Sequence, residues 1–201
     1  MHSTEILARS GEHLWMVGFA VFVALVLGAP LGVILTANRP LRRWALVVIN
    51  IIQTIPSLAL FGFLMPIPYI GGVGKRTAIV ALVLYALLPI VRNMVVGILG
   101  VDSGVRDSAV AMGMTRKQIL FAVDLPLAFP TILAGIRTAT VSTIGTATIA
   151  AAIGGGGLGT FVFRGIATAD MTMILAGAIP AAIMAISADE VLEWAERRFS
   201  Y

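Results

Sequence analysis

Long apolar runs constrain this chain more than any other feature of its sequence. A run of about twenty apolar residues matches the hydrocarbon thickness of a bilayer, and in lipid its backbone is satisfied only in a helix or a closed barrel. Only 12% of the residues are charged, whereas a soluble domain is nearer a quarter. We therefore predict an all-α integral membrane protein with five transmembrane helices, at about 14–36, 44–65, 77–99, 130–153 and 171–194.

Basic residues are distributed unevenly between the two sides of these spans. Arg9, Lys75, Arg76 and Arg164 fall on one side, and twice as many fall on the other: Arg39, Arg42, Arg43, Arg106, Arg116, Lys117, Arg197 and Arg198. Cytoplasmic loops carry the excess of lysine and arginine. This predicts an external segment at 1–13, a cytoplasmic loop at 100–129 and a cytoplasmic tail at 196–201. The first thirteen residues carry Glu5, Arg9 and Glu12 and lack a basic n-region with a cleavage site, so we expect no signal peptide. The net charge of +4 is explained by topology rather than by nucleic-acid binding.

The polar residues form no recognisable catalytic or metal-binding pattern. His2 and His13 both lie near the N-terminus and cysteine is absent, so neither a metal cluster nor a Ser-His-Asp arrangement can be assembled within the bundle. The glycine-rich segments 71–77 and 154–159 lack the residue order of a phosphate loop, and we predict tight external turns there. We expect no catalytic residue, no metal and no cofactor bound by this chain.

Small residues recur every fourth position along the fourth predicted span, at Gly135, Ala139, Thr143 and Ala147. Such spacing lets helix backbones approach closely in lipid, and it predicts a helix-packing face. The hydroxyls of the neighbouring row could line a polar route or bond back to their own helix. Four of the five spans also contain a proline, which kinks a helix: Pro30, Pro56, Pro89 and Pro180.

Arg92 and Arg137 are arginines within the third and fourth predicted spans, toward the cytoplasmic end of each. One interpretation is that both extend to the lipid headgroups. The other is that they line the inner mouth of a pathway or pair with an acid, the candidates being Asp102, Asp124 and Asp189.

The loop at 100–129 is a polar, charged island between two apolar stretches. Asp107 can cap a short helix that begins at Ser108, and Gly113 suits the end of that helix. A second short helix, residues 116–123, would follow Thr115 and stop before Leu125-Pro126. Ala109 is small enough to enter a partner's cleft. The island is either a docking segment or an amphipathic loop on the membrane surface.

The spacing of this island resembles the cytoplasmic signature of type I ABC importer permeases, in which E-A-A, G and I-x-L-P follow one another. Asp107, Ser108 and Val123 stand here for Glu, Ala and Ile. The resemblance implies a coupling helix that sits in a groove of an ATP-hydrolysing subunit. It assigns this contact to Asp107, Ser108, Ala109, Met112, Gly113, Met114, Leu125 and Pro126.

Three further segments, 50–57, 86–93 and 145–151, resemble the osmoprotectant branch of these permeases, which carries glycine betaine, choline and carnitine. The resemblance implies that residues 13–195 form the transmembrane domain of a subunit in the bacterial cytoplasmic membrane. It also implies a second permease subunit, identical or a sister, and cytoplasmic ATPases that hold ATP and Mg. An external binding protein would dock on the loops at 66–76 and 154–170.

Five residues are candidates for the solute pathway, with ordinary packing as the alternative: Gln53, Thr54, Pro56, Tyr85 and Asn93.

Another small solute, such as an amino acid derivative, would fit the same architecture. A self-sufficient channel or secondary transporter is a different class. It is disfavoured because no inverted repeat is evident and no acidic residue lies at mid-membrane. A membrane enzyme is disfavoured by the missing catalytic cluster.

Overall fold

The computed structural model describes residues 3–199, and these are nearly all helical, with no strand among them. His2 lies outside the described residues. A π-helical turn, Leu120–Asp124, precedes α7, and a 3-10 turn, Ala150–Ile153, follows it. The helices are α1 Ser3–Ala37, α2 Arg39–Thr54, α3 Ser57–Leu64, α4 Lys75–Leu99, α5 Ser103–Ala111, α6 Arg116–Ile119, α7 Leu125–Ile149, α8 Gly159–Thr168 and α9 Met171–Phe199.

The predicted all-α membrane fold is confirmed. Within the described residues four helices are long and apolar enough to cross a membrane, and α2 with α3 passes the same test only as a bent pair. The four are Thr4–Ala37, Lys75–Leu99, Arg116–Ile153 and Met171–Phe199. At one end of the bundle lie the elements that connect α4 to α7, and at the other lie the two glycine-rich turns.

The second predicted span, 44–65, is a bent pair of helices, interrupted at Pro56 where the sequence predicts a kink. The chain turns by 101° between α2 and α3. Ile55 has an extended backbone, with φ −68° and ψ 125°, because the ring of Pro56 disfavours the helical conformation in the residue before it. Proline also lacks the N–H that would continue the helical ladder. The apolar residues of this region are therefore divided between two helices that run in different directions.

Two other boundaries also differ from the prediction. Residues 3–13, predicted to be an external segment, form the first turns of α1, which continues without a break into the apolar run. The loop predicted at 154–170 contains α8, whose residues Phe161 and Gly165 are buried. Phe161 and Leu158 pack with Ala181 of α9, and this contact holds the loop against the bundle.

Helix α4 lies at the centre of the bundle and packs against α1 and α7. Gly135, Ala139, Thr143 and Ala147 are all buried on α7. A Cβ atom added at Gly135 would lie 2.5 Å from Cβ of Asn93, so α4 and α7 approach one another closely at that point. Small side chains permit this approach, which places polar groups of α4 and α7 side by side.

Candidate functional site

Residues 100–124 form a bent segment, here called the elbow, between α4 and α7. Its first helix, α5, is capped by Asp102, whose side chain accepts hydrogen bonds from the N–H groups of Gly104 at 2.8 Å and Val105 at 3.2 Å. The predicted cap at Asp107 is therefore wrong. Asp107 lies inside α5 with its side chain exposed. An N-cap residue must have a non-helical backbone, and Asp102 has one, with ψ of 132°.

The first helix of the elbow ends at the predicted glycine. Gly113 has a φ of +80°, a left-handed conformation that side chains other than glycine rarely adopt. The N–H of Met114 then donates to the carbonyl oxygen of Ala109 at 3.1 Å, which closes the helix end. The turn reverses the chain so that α6 can follow.

The second half of the elbow is continuous with α7. Thr115 and Gln118 form a capping box at the start of α6, as the Thr115 cap predicted. The N–H of Leu125 donates to the carbonyl of Leu120, the i to i+5 bond of a π turn. The helix therefore does not stop before Leu125-Pro126. Pro126 is tolerated because it lies in the first turn of α7, directly after this wider turn.

An ion pair joins the two halves of the elbow. Arg106 Nε donates to Asp124 Oδ1 at 2.7 Å, and the Asp124 residue is only 8% exposed. A second nitrogen of Arg106 donates to the carbonyl of Ile98 near the end of α4. One guanidinium thus connects α4, α5 and the π turn, so the elbow is braced against the bundle.

The exposed surface of the elbow carries large apolar side chains among polar and charged ones. Val110 is 60% exposed and Met112 is 74% exposed, and the side chains of Arg116 and Lys117 are exposed as well. Ala109 is only 1% exposed, so the expectation that it enters a partner's cleft is wrong. Its small size instead lets α5 pack closely within this chain. Met112 and Val110 present the surface that a partner can reach.

A polar groove of about 530 Å³ lies between α2, α4 and α7. Two of the predicted pathway residues, Gln53 and Asn93, line it. Thr54, Pro56 and Tyr85 do not. The groove is lined by Gln53, Leu88, Pro89, Arg92, Asn93, Val96, Thr138 and Ser142.

The side chain of Gln53 compensates for the proline in α4. Pro89 has no N–H, so the carbonyl four residues earlier, at Tyr85, loses its helical partner. Gln53 Nε2 donates to that carbonyl at 2.7 Å. Tyr85 in turn donates its hydroxyl to the carbonyl of Ile55, at the break between α2 and α3. Two hydrogen bonds therefore connect the bent pair of α2 and α3 to the proline-containing helix α4.

Two hydroxyls of α7 both bond back to their own helix and line the groove, which are the two roles considered from the sequence. Thr138 Oγ1 donates to the carbonyl of Ala134 at 2.9 Å, and Ser142 Oγ donates to that of Thr138 at 2.8 Å. Both side chains are nevertheless exposed and line the groove. They bond back to their own helix while presenting oxygen lone pairs to the open space.

The two intramembrane arginines have different surroundings. Arg137 on α7 pairs with three acids of α9, at 2.7 Å from Asp189, 3.5 Å from Glu193 and 3.3 Å from Glu196. Pairing with Asp189 is one of the alternatives named from the sequence. Arg92 forms no ion pair within residues 3–199 and has an exposed side chain in the groove.

At the opposite end of the bundle, Glu12 joins α1 to both glycine-rich turns. Its carboxylate pairs with Lys75 and with Arg9, and it accepts a 3.0 Å hydrogen bond from the N–H of Gly157. The N–H of Gly74 donates to the carbonyl of Ile153 at 2.7 Å, so the two turns lie side by side. Sequence reasoning missed Glu12, although an acid at the start of an apolar run is itself a signal.

Comparison with known proteins places these features in a family. Residues 24–201 match the profile of the family described as binding-protein-dependent transport system inner membrane component. The chain is 44% identical to the choline transport system permease protein OpuBD of Bacillus subtilis, over 99% of this chain and 87% of that protein. It is 46% identical to the carnitine transport permease protein OpuCD of Listeria monocytogenes, over 98% and 87%.

A solved structure has the same fold along the whole chain. The inward-facing structure of the MetNI methionine ABC transporter superimposes with a TM-score of 0.89, at 25% identity, with all of both chains covered.

Proposed function

This chain belongs to the family of binding-protein-dependent transport system inner membrane components, and from this premise we propose that it is the permease subunit of an ATP-driven importer of osmoprotectants. The observation that carries the proposal is 39–46% identity, over at least 91% of the chain, to permeases named for choline, glycine betaine, carnitine or osmoprotectants. The solute would be one of these small quaternary ammonium compounds.

The elbow supports docking to a separate ATPase subunit. Its exposed Met112 and Val110 offer an apolar contact, and the ion pair between Arg106 and Asp124 keeps that contact rigid. Helix α7 continues directly from α6 and the π turn of the elbow. A displacement of the elbow would therefore move Thr138 and Ser142 in the groove. Cytoplasmic ATPases would hold ATP and Mg, and their closure would bias the permease between its states.

The charge distribution supports an orientation in the bacterial cytoplasmic membrane. The end of the bundle that carries the elbow has the larger number of basic residues, so we assign it to the cytoplasm, with the C-terminus, and assign the N-terminus to the outside. The paired turns around Gly74 and Gly157 would then receive the external binding protein. A second permease subunit, identical or a sister, would pack beside the groove.

A second candidate is an importer of an amino acid derivative. The likeness to a methionine transporter over the whole fold favours it, at 25% identity against 44% for the choline permease. The higher identity favours the osmoprotectant.

Uptake into proteoliposomes distinguishes these functions. The chain is reconstituted with its ATPase and binding protein, and uptake of labelled glycine betaine, choline, carnitine and methionine is measured with and without internal ATP. We expect ATP-dependent uptake of at least one quaternary ammonium solute and none with the chain alone. Uptake by the chain alone without ATP would indicate a channel or secondary transporter. Uptake of methionine only would favour the second candidate.

A further inference from the structure

Arg92 is the only charged side chain among the residues that line the groove within the described part of the chain. It lies seven residues before Leu99, the last residue of α4. At a rise of 1.5 Å per residue this is about 10 Å from the helix end. A cation at such a depth is costly unless it faces a polar cavity or a partner.

Three acids at this end of the bundle are engaged by other groups. Asp189 pairs with Arg137, and Asp124 pairs with Arg106. Asp102 caps α5 through its side chain. The guanidinium of Arg92 therefore presents its donors to the groove, with no carboxylate of residues 3–199 paired to it.

The other polar groups of the groove are neutral and already bonded within the chain. The amide nitrogens of Gln53 and Asn93 each use one N–H to donate to the carbonyls of Tyr85 and Pro89, at 2.7 Å and 2.8 Å. Thr138 and Ser142 donate their hydroxyl protons to α7 itself. Arg92 is thus the one cationic donor among the residues that line the groove, and an anionic group is its complement.

We propose that Arg92 binds the carboxylate of a zwitterionic solute during passage through the groove. The inference rests on the proposed function and narrows its substrate class. Glycine betaine and carnitine each carry a carboxylate beside the quaternary ammonium, whereas choline is a cation without one. The guanidinium attracts the first two through charge-assisted hydrogen bonds and repels the third. The groove therefore favours carboxylate-bearing osmoprotectants.

The test compares two solutes in the complete transporter. Uptake of glycine betaine and of choline is measured in proteoliposomes that contain the permease, ATPase and binding protein. The variants are Arg92→Gln and Arg92→Lys. Arg43→Gln is the matched control, because Arg43 is an exposed arginine on α2 that does not line the groove.

We expect Arg92→Gln to lower glycine betaine uptake about tenfold, the size of one charge-assisted hydrogen bond. Choline uptake should stay within about twofold or rise, and the Arg43 control should match the wild type for both solutes. The lysine variant should retain more glycine betaine uptake than the glutamine variant, since it keeps the positive charge. If the wild type imports glycine betaine but no choline, the assignment of Arg92 is supported when the lysine variant retains glycine betaine uptake and the glutamine variant does not.

Four results would overturn the assignment of Arg92. The first is an equal loss of uptake for both solutes, which a structural role or a pair with the second permease subunit would give. The others are unchanged glycine betaine uptake in Arg92→Gln, a lysine variant as impaired as the glutamine variant, and a wild type that imports choline alone. The last leaves the osmoprotectant function intact. A wild type that imports no quaternary ammonium solute overturns that function and the Arg92 assignment together.

Discussion

The side-chain amide of Gln53 donates a 2.7 Å hydrogen bond to the backbone carbonyl of Tyr85, the carbonyl that Pro89 leaves without a helical partner. The bond connects α2, which ends at the break before Pro56, to the turn of α4 that precedes Pro89. Buried backbone groups in lipid must be satisfied within the protein, so this turn of α4 depends on a neighbour. The polar groove lies beside this contact.

Gln53→Leu should destabilise the chain by about 1–3 kcal/mol, because it leaves the Tyr85 carbonyl unsatisfied. Thermal unfolding in detergent measures the loss. Thr54→Val is the matched control, since Thr54 is exposed and its hydroxyl bonds only to the carbonyl of Ile51 in its own helix. The control should change stability by less than about 0.5 kcal/mol. Equal effects of the two variants would show that the Gln53 contact contributes nothing specific.

Arg106→Gln should loosen the elbow, because it removes the cationic donor of the nearly buried Asp124 and one of the donors to the carbonyl of Ile98. We expect the local stability of the elbow to fall by about 1–3 kcal/mol. This should give faster hydrogen exchange in α5 and weaker co-purification with the ATPase. The double variant Arg106→Gln with Asp124→Asn should lose less stability than the sum of the losses in the two single variants. Strict additivity would mean that the two side chains are not coupled.

Gly135→Ala should destabilise the contact between α4 and α7, because the new Cβ would lie 2.5 Å from Cβ of Asn93 and 2.8 Å from the carbonyl of Pro89. The same change at Gly145, on the same helix, is the control, since nothing lies within 4 Å of its Cβ position. That variant should be neutral or gain up to about 1 kcal/mol from helix propensity. Unfolding midpoints of the two proteins check the prediction, and a tolerated alanine at 135 would contradict the close packing.

The sequence predicts local features of the elbow better than its long-range contacts. Gly113 ends α5 where its conformational freedom predicts, and Thr115 caps α6. The N-cap of α5 was misassigned because both Asp102 and Asp107 can cap a helix, and only the backbone decides between them. The pairing of Arg106 with Asp124 spans 18 positions and depends on the folded turn.

The groove could be predicted only in part for the same reason. Its polar residues come from α2, α4 and α7, which are distant in sequence, and periodicity within one helix does not show which neighbour it faces. The proline at 56 predicts a kink there but not its size, since the two helices pass the hydropathy test only together and the 101° turn between them depends on tertiary packing. The role of Gln53 and Asn93 in transport stays a prediction.

The orientation can be measured because the chain contains no cysteine. Val73→Cys and Met112→Cys place single thiols at opposite ends of the bundle, at positions that are 80% and 74% exposed. A membrane-impermeant maleimide should label the cysteine at position 73 in intact cells, and the one at 112 only after permeabilisation. The reverse pattern would contradict the assigned topology.

Cross-linking in the assembled transporter tests the docking of the elbow most directly. With the same two variants, a short thiol-reactive cross-linker should join position 112 to the ATPase subunit and should yield no ATPase adduct from position 73. The expected result is an adduct specific to position 112 that changes in yield when ATP is added. An ATPase adduct at position 73, or none at 112 in a complex that transports its solute, would contradict the account.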